Sequence, residues 1–430
     1  MMMPAGSVFI QNFGCRVNQA EAFDWAAEFH DKGWILEAEP ARSALIVVNS
    51  CTLTSRADRD VRRFIRKVAR ENPRARIVVT GCLAERDPEG LNAMPGVWKV
   101  VPNADKPALP ARCFENGLGR VSGFAAPSDP PGSYRARALV KVQDGCDMAC
   151  AFCVIPSVRG RSASRPVKAV LSRIEGLVSS GYHEIILSGI HLCSYGRDLN
   201  PRSSLLELLT RIEALSGEFR VRLSSLDPRL LPFPFLDFLA SSRRVVPHFH
   251  LSFQHGSDRI LKAMGRESTA GGYRDLAGRF VRLSPEACLG SDFIVGFPGE
   301  TERDFEATAA LLEETPLAYA HVFSFSARPG TKAAEDRAVE PAKVKSRAVI
   351  LRRLSGEKNL AYRRRFSGRM LPGIVIQRKP GGLEILTSNY LEVIVPDGRQ
   401  PEGAAVLVRI ATVGERSTTG EICDNETGRP

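Results

Sequence analysis

The chain has 430 residues, a formal net charge of +11 and a hydrophobic fraction of 43%, which is too long for one ordinary core and calls for two or three domains. No run of eighteen apolar residues points to a membrane span, and the first seventeen residues lack the charged and apolar regions of a signal peptide, so a cytoplasmic location with no membrane partner is expected. The basic excess favours a polyanionic partner, nucleic acid first, and ten cysteines in a reducing compartment point to metal ligands, catalysis or core packing before disulfides.

In the first part of the chain, residues 7–118, the apolar runs SVFIQNF, ALIVVN, RIVVT and WKVVP have strand length. Between them, ADRDVRRFIRKVAR places Val61, Phe64, Ile65 and Val68 on one helical face. This alternation predicts a parallel sheet covered by helices, of the Rossmann or flavodoxin-like kind. Cys15, Cys51 and Cys82 each fall one to three residues beyond a predicted strand and before a helix. In a parallel sheet such turns share one edge, where ligands bind, and the helix N-termini there favour an anionic group. Buried structural cysteines are common, but they do not account for one cysteine at the same topological position in each unit. A three-thiolate iron–sulfur cluster with one open iron is the favoured reading.

Residues 117–135, GLGRVSGFAAPSDPPGSYR, are rich in Gly, Pro and Ser and are predicted to be a linker. Strands are then predicted at ALVKV (138–142), EIILS (184–188), FRVRL (219–223), HFHLSF (248–253), GSDFIV (290–295) and AYAHVF (318–323), with helical segments between most of them. Six β/α units in a domain spanning 136–363 suggest an open or partial barrel; a doubly wound sheet fits the same pattern. Directly after the first of these strands comes QDGCDMACAFCVIPSVRG, with Cys146, Cys150 and Cys153 at C-x3-C-x2-C spacing. Structural zinc takes four ligands, usually in pairs, and the next candidates, His183 and Cys193, are distant in sequence. A 4Fe–4S cluster on three thiolates leaves one iron open to a small molecule with amine and carboxylate groups. Glycines that allow close backbone approach follow two other strands: Ser188 and Gly189 in SGI, and Gly296, Pro298 and Gly299 in DFIVGFPGET. With Phe152 in the cysteine loop, these are the candidates for holding a cosubstrate. Cys193 also lies near this end of the barrel but fits no ligand spacing; Cys113, Cys288 and Cys423 fit none either, and Cys288 and Cys423 read as core or incidental.

The last part, residues 364–425, contains GIVIQRK, GLEILTS, YLEVIVP and AAVLVRIATV, short β-rich runs broken by Gly, Pro and Asn. They predict a small antiparallel β-barrel of OB-like type. Before it, residues 342–369 carry Lys343, Lys345, Arg347, Arg352, Arg353, Lys358, Arg363, Arg364, Arg365 and Arg369 against one acid, Glu357. Such a run is usually a solvated face, but beside a small β-barrel it is expected to be a nucleic-acid surface.

C-x3-C-x2-C with an aromatic residue, Phe152, before the last cysteine resembles the signature of the radical S-adenosylmethionine superfamily. The six cysteines and three-part organisation together resemble its methylthiotransferases over residues 7–423. GCRVNQAE (14–21), NSCTLT (49–54), GIHLCSYGRDL (189–199) and RLSSLDP (222–228) resemble the branch that acts on threonylcarbamoyladenosine in tRNA. FQHGSD (253–258) departs from the usual LQSGSD at His255. Other branches act on isopentenyladenosine in tRNA or on an aspartate of a ribosomal protein. A non-catalytic iron–sulfur RNA-binding sensor is the alternative of a different class.

The resemblance implies an N-terminal cluster domain, a radical barrel and a C-terminal TRAM domain that binds RNA. It implies two 4Fe–4S clusters and S-adenosylmethionine. Cys146, Cys150 and Cys153 would hold the cluster that cleaves S-adenosylmethionine, and the resulting radical would take the hydrogen from C2 of the adenine next to the anticodon. Cys15, Cys51 and Cys82 would hold the auxiliary cluster whose open iron carries sulfur, with a second S-adenosylmethionine giving the methyl group. The implied partners are a tRNA anticodon loop and a reductant protein such as a flavodoxin or ferredoxin. Arg56, Arg59, Arg62, Arg63, Arg66, Lys67 and Arg70 would follow phosphates with little sequence readout.

Overall fold

A computed structural model describes residues 6–115 and 136–423; the predicted linker lies outside them. The first apolar runs form one parallel sheet of β1 (Ser7–Asn12), β2 (Ile35–Leu36), β3 (Leu45–Ser50), β4 (Arg76–Gly81) and β5 (Val97–Val101), in the order β2-β1-β3-β4-β5. All six residues of β3 are buried because helices cover both faces. Helix Arg16–Asp31 contributes Ala22, Trp25, Ala26 and Phe29 to one side. Helix Ser55–Glu71 contributes Val61, Ile65 and Val68 to the other. The order reverses between β1 and β3, and ligands bind outside the strand C-termini at such a point.

The second unit contains β6 (Ala138–Asp144), β7 (Ala163–Ser164), β8 (Glu184–Gly189), β9 (Arg220–Leu223), β10 (His248–Gln254), β11 (Cys288–Val295) and β12 (Tyr319–Ser324). Apart from the short antiparallel β7 on β6, the strands run parallel and neighbour one another in chain order. Isolated parallel bridges, Val221 with Val245 and Leu226 with Leu251, join the two halves. Chain order without reversal decides for the partial barrel against the doubly wound sheet. Helix Arg16–Asp31 leans on its inner side, where Ala20 packs on Leu139 and Ile186. The same helix is thus shared by the N-terminal sheet and the barrel. No helix among the described residues is long and apolar enough to cross a membrane.

The inner face of the barrel is strongly polar at one end. Glu184, fully buried, accepts from Arg137 Nη1 at 3.3 Å, Arg220 Nε at 3.0 Å and Arg222 Nε at 2.9 Å. Arg222 also donates to the carbonyls of Thr387 and Ser388, both at 3.2 Å, which ties the C-terminal barrel to this end. Burial opposes the Glu184 charge, but the guanidiniums, Arg222 first, outweigh it and bring the carboxyl down to about 2. A depressed carboxyl stabilises the fold above its unfolded value and loses that contribution as pH falls through its folded value. Glu184→Gln should therefore cost about 3 kcal/mol at neutral pH. Urea unfolding should show the gap from the parent narrowing towards pH 3.

The C-terminal unit is a closed barrel of β13 (Met370–Lys379), β14 (Gly382–Thr387), β15 (Glu392–Val395), β16 (Ala405–Val413) and β17 (Thr418–Cys423), ordered β13-β14-β15-β17-β16. β17 was not visible in the sequence pattern, and its contact with β15 is parallel, so the barrel is mixed rather than purely antiparallel. Helix Pro341–Arg364 joins the two barrels: Ala348 and Leu351 enter the core of the first, Tyr362 and the following Phe366 that of the second.

This helix divides the basic run at 342–369 between packing and surface. Arg347 is buried and pairs with Glu300 at 3.0 Å and Glu302 at 2.9 Å. Arg363 donates to the carbonyls of Gly414, Glu415 and Ser417, while Arg365 and Lys358 hold the carbonyls of Pro285 and Glu313. These cations lock elements together. Lys343, Lys345, Arg352, Arg353, Arg364 and Arg369 stay exposed.

Candidate active site between two cysteine triads

β1, β3 and β4 are neighbours, so the turns after them lie side by side. Cys15 caps helix Arg16–Asp31, Cys51 directly follows β3, and Cys82 opens the helix Cys82–Arg86. Cys51 and Cys82 are 5% and 3% exposed. Asn18 holds two of the turns together, its Nδ2 donating to the carbonyls of Phe13 at 2.8 Å and Ser50 at 3.0 Å. Gly14 lies at φ +97°, and a Cβ there would come within 2.7 Å of both Cβ and Sγ of Cys51. Gly14→Ala is therefore strained and crowded at once, and should cost about 1–3 kcal/mol. Because Cys51 must move to relieve the contact, iron bound per chain after reconstitution should fall with the urea midpoint.

The second triad is built on the loop leaving β6. Gly145, at φ +64°, has the Arg161 carbonyl where a Cβ would stand, 1.9 Å away. Gln143 Nε2 donates to the carbonyls of Asp144 and Gly145 at 2.7 and 2.8 Å. Cys146 N bonds Gly160 O at 3.1 Å, Cys153 N bonds Cys150 O at 3.1 Å, and Ala151 N bonds Met264 O at 2.9 Å. Phe152 is half-buried in a small apolar cluster with Ile260, Met264, Ile294 and Phe297. The loop is thus fixed through its backbone, and all three thiols stay partly exposed.

The two triads meet. Cys82 packs in one cluster with Val154, Ile155 and Val158, against which Cys146, Cys153 and Ile190 also pack. Arg159, whose side chain is 1% exposed, is the polar link across this contact. Its Nε donates to Cys82 Sγ at 3.3 Å, and its Nη1 to Glu21 Oε1 at 3.1 Å and Asp144 Oδ1 at 2.8 Å. Lys106 and Lys141 complete the group, with Nζ 2.7 Å and 3.0 Å from the Glu21 carboxylate. Burial opposes the Glu21 charge, yet Lys106, Arg159 and Lys141 hold the carboxyl well below its usual range. Burial pushes the Cys51 and Cys153 thiols up to about 12, and neighbouring thiols of both triads add to the rise at Cys153. Cys82 is also raised by burial, with Arg159 opposing. Thiols in this state ionise when a metal takes them, so loading and proton release are linked.

Of the other sequence candidates, Ser188 and Gly189 end β8 beside this loop, with Ser188 fully buried. Gly189 backs onto the side chain of Gln143, and the adjoining His191 N bonds Gln143 Oε1 at 2.8 Å. Gly296 (φ +76°) is buried and meets Val344 of helix Pro341–Arg364, so packing alone calls for glycine there. Pro298 is buried and Gly299 exposed, and both line a surface groove with Glu300, Glu302 and Arg347. His255 is completely buried, 3.2 Å from Glu300 and accepting from Ser257 N. Cys193 accepts from Asp227 N at 3.2 Å, while Cys113 and Cys288 are buried in cores.

Sequence reasoning missed the polar groups. Arg159, Glu21, Lys106, Lys141 and Asp144 are one example. Asp227 is another: it lies 3.0 Å from His191 and 3.2 Å from Arg266, and also binds Arg229, at the barrel end that carries the cysteine loop. Asp144, two residues before Cys146, Glu21, six after Cys15, and Arg159, six after Cys153, were the nearby signals.

Three thiols at the end of a parallel sheet, with a buried guanidinium on one sulfur, suit an anionic sulfur cluster. Neither triad is among the sets of three ligand atoms lying within 4.8 Å of one another among the described residues. A zinc ion, at about 2.3 Å from each sulfur, would need sulfurs roughly 3.8 Å apart.

Residues 7–102 match the model of the uncharacterized protein family UPF0004, and residues 140–312 that of the radical SAM superfamily. The threonylcarbamoyladenosine tRNA methylthiotransferase MtaB of Thermotoga maritima is 34% identical over 84% of this chain and 85% of its own length. That of Aquifex aeolicus is 33% identical over 94% of this chain and 100% of its own. A tRNA-2-methylthio-N(6)-dimethylallyladenosine synthase from Cereibacter sphaeroides is 33% identical over 98% and 99%. Among solved structures, the radical S-adenosylmethionine methyltransferase TsrM of Kitasatospora setae, with cobalamin and a 4Fe–4S cluster bound, superposes with a TM-score of 0.56 at 16% identity over 76% of this chain and 77% of its own. That likeness concerns the fold alone.

Proposed function

The chain belongs to the radical S-adenosylmethionine methylthiotransferase family, and from that membership we infer that it converts N6-threonylcarbamoyladenosine next to the anticodon of tRNA into its 2-methylthio derivative. The observation that carries the reading is the contact between the triads: Cys82 packs in the same apolar cluster as Cys146 and Cys153. Chemistry that uses both triads on one base needs them adjacent and sealed from water on one side. When bound, a cluster on Cys146, Cys150 and Cys153 supplies the electron that cleaves S-adenosylmethionine, and one on Cys15, Cys51 and Cys82 supplies sulfur.

The chain's own residues do the rest. Gln143 and Gly145 fix the first loop, and Asn18 and Gly14 fix the turns of the second triad. Arg159 places a permanent positive charge at Cys82, where thiolate and sulfide charge would collect. Ser188, Gly189 and the polar group around Asp227 stand at the strand ends where a cosubstrate would lie. Pro298 and Gly299 remain candidates on the far side. The parts 7–118, 136–363 and 364–425 serve as cluster domain, radical barrel and RNA-binding TRAM domain. Arg56, Arg59, Arg63, Arg66, Lys67 and Arg70, all exposed on one helix, follow phosphates. A flavodoxin or ferredoxin delivers the electron.

The test is anaerobic. Reconstituted protein, S-adenosylmethionine, a reductant and tRNA lacking the modification are incubated, and the tRNA is digested and its nucleosides weighed. A methylthio group on threonylcarbamoyladenosine is the expected result. Its appearance on isopentenyladenosine instead would move the chain to the neighbouring branch. Production of 5′-deoxyadenosine with unchanged tRNA would favour the ribosomal-protein target.

A further inference from the structure

The inner face of the barrel carries polar side chains that the cysteine chemistry leaves unused. Alternation along β10, β11 and β12 sends Phe249, Leu251, Leu289 and Phe293 outward into the core, and His250, Asp292 and His321 inward. His321 Nδ1 is 3.3 Å from Asp292 Oδ1, and its side chain is 56% exposed. His250 Nε2 is 3.1 Å from the same oxygen but outside hydrogen-bond geometry. Among the described residues it is left without a hydrogen-bond partner, on a residue only 7% exposed.

Arg16 approaches the barrel from the N-terminal domain. It directly follows Cys15 and precedes by one helical turn Ala20, which packs on Leu139 and Ile186, so it leaves the helix on the barrel side. Burial lowers the pKa of both His248 and His250, and Arg16 is among the cations that add to the effect. Its hydrogen bond is to a neutral group, Gln19 Oε1 at 3.3 Å, and the first turn of its helix holds no acid to answer either the guanidinium or the helix dipole. Arg16, with no ion pair among the described residues, thus stands next to the first cysteine of the auxiliary triad and on the side of the barrel towards which His250 and His321 turn, the two rings flanking Asp292.

Resting on the substrate reading above, we propose that Arg16, with His250 and His321, forms the subsite for the threonyl carboxylate of the substrate. The ureido side chain of that nucleoside folds along the N1 edge of the adenine, next to C2. A base whose C2 is presented between the triads therefore brings its carboxylate towards the residue that follows Cys15. The guanidinium fork takes a carboxylate through two parallel N–H bonds. Asp292 holds the His321 ring through Nδ1 and so fixes the edge that the ring turns to the ligand. A base with a neutral N6 group leaves the guanidinium unpaired, and that is how a polar site rejects an analogue.

The experiment uses the reconstituted full chain and two anticodon stem-loop RNAs, one with threonylcarbamoyladenosine and one with its neutral carboxamide. The acid should bind at least about tenfold more tightly than the amide. Arg16→Gln should erase the difference by weakening the acid alone, and Arg16→Lys should restore part of it. Iron content of the variants should match the unaltered chain, which separates loss of the subsite from loss of the fold. Equal affinity of the unaltered chain for both RNAs would overturn the subsite, as would equal weakening of both by Arg16→Gln. So would stoichiometric zinc or manganese bound in a manner dependent on His321, which would make the group a cation site. If S-adenosylmethionine is cleaved but neither RNA is methylthiolated, the substrate reading falls and the subsite falls with it.

Discussion

Glu21→Gln should destabilise the protein by about 3–5 kcal/mol, the usual cost of removing one partner from a buried ionic group. With Glu21 charged, three cations, Lys106, Arg159 and Lys141, face two anions, Glu21 and Asp144. Lys106 and Arg159 are 3% and 1% exposed, and Asp144 is the more accessible anion at 28%. The substitution leaves three cations to one half-exposed anion. Burial already lowers the Lys106 pKa, and Glu21 is the first charge that opposes this. Without it, Lys106 sheds its proton or the joint between sheet and barrel opens. Urea unfolding of the iron-free chain at neutral pH should show a lower midpoint with an unchanged slope. The Glu21 carboxyl is depressed, so its contribution is present above the ordinary carboxylate value and is lost as pH falls through the folded value. The deficit of the variant should accordingly shrink on acidification. A midpoint equal to the parent at neutral pH would mean that the cations are neutralised elsewhere.

Single alanine substitutions in the two triads should both abolish product, by separable routes. Cys146→Ala, Cys150→Ala or Cys153→Ala should remove 5′-deoxyadenosine formation and methylthiolation together. Cys15→Ala, Cys51→Ala or Cys82→Ala should remove methylthiolation and leave cleavage of S-adenosylmethionine measurable. Cys82 is the demanding case because it packs against the other triad and takes the Arg159 N–H. Its truncation leaves only a small void, and Arg159 keeps Glu21 and Asp144 as partners. The loop of Cys146 is held by its own backbone bonds and stays formed. If Cys82→Ala lost cleavage as completely as Cys146→Ala, the two triads would not be independent sites.

Much of this was legible in the sequence because it depends on order along the chain. Strand and helix alternation gave the parallel sheet and the barrel. Regular β/α units put Cys15, Cys51 and Cys82 in equivalent turns, so their convergence followed from topology. β17 escaped because STTGEIC has no apolar run, although it folds back as a hairpin on its neighbour β16. The Arg159 group escaped for a different reason: Arg159 and Glu21 are 138 positions apart, and nothing local marks either as buried. Charge counting failed in the opposite direction at 342–369, since it records sign but not orientation, and Arg347 and Arg363 point inward. Glycine was a mixed signal: Gly14 and Gly145 are needed by the cysteine turns, whereas Gly296 is needed at least as much by Val344.

Helix Arg16–Asp31 has a consequence for how such a protein can change over generations. One of its faces belongs to the N-terminal sheet through Trp25 and Phe29. The other meets the barrel through Ala20, Phe23 and Asp24, the last paired with Arg165 and Arg173. A domain exchanged with a relative would therefore arrive with a mismatched wall, however well it folded by itself. The sulfur-bearing half and the radical-generating half are bound to be inherited together, and a substitution on either side of this helix is screened by its partner before it is screened by the substrate.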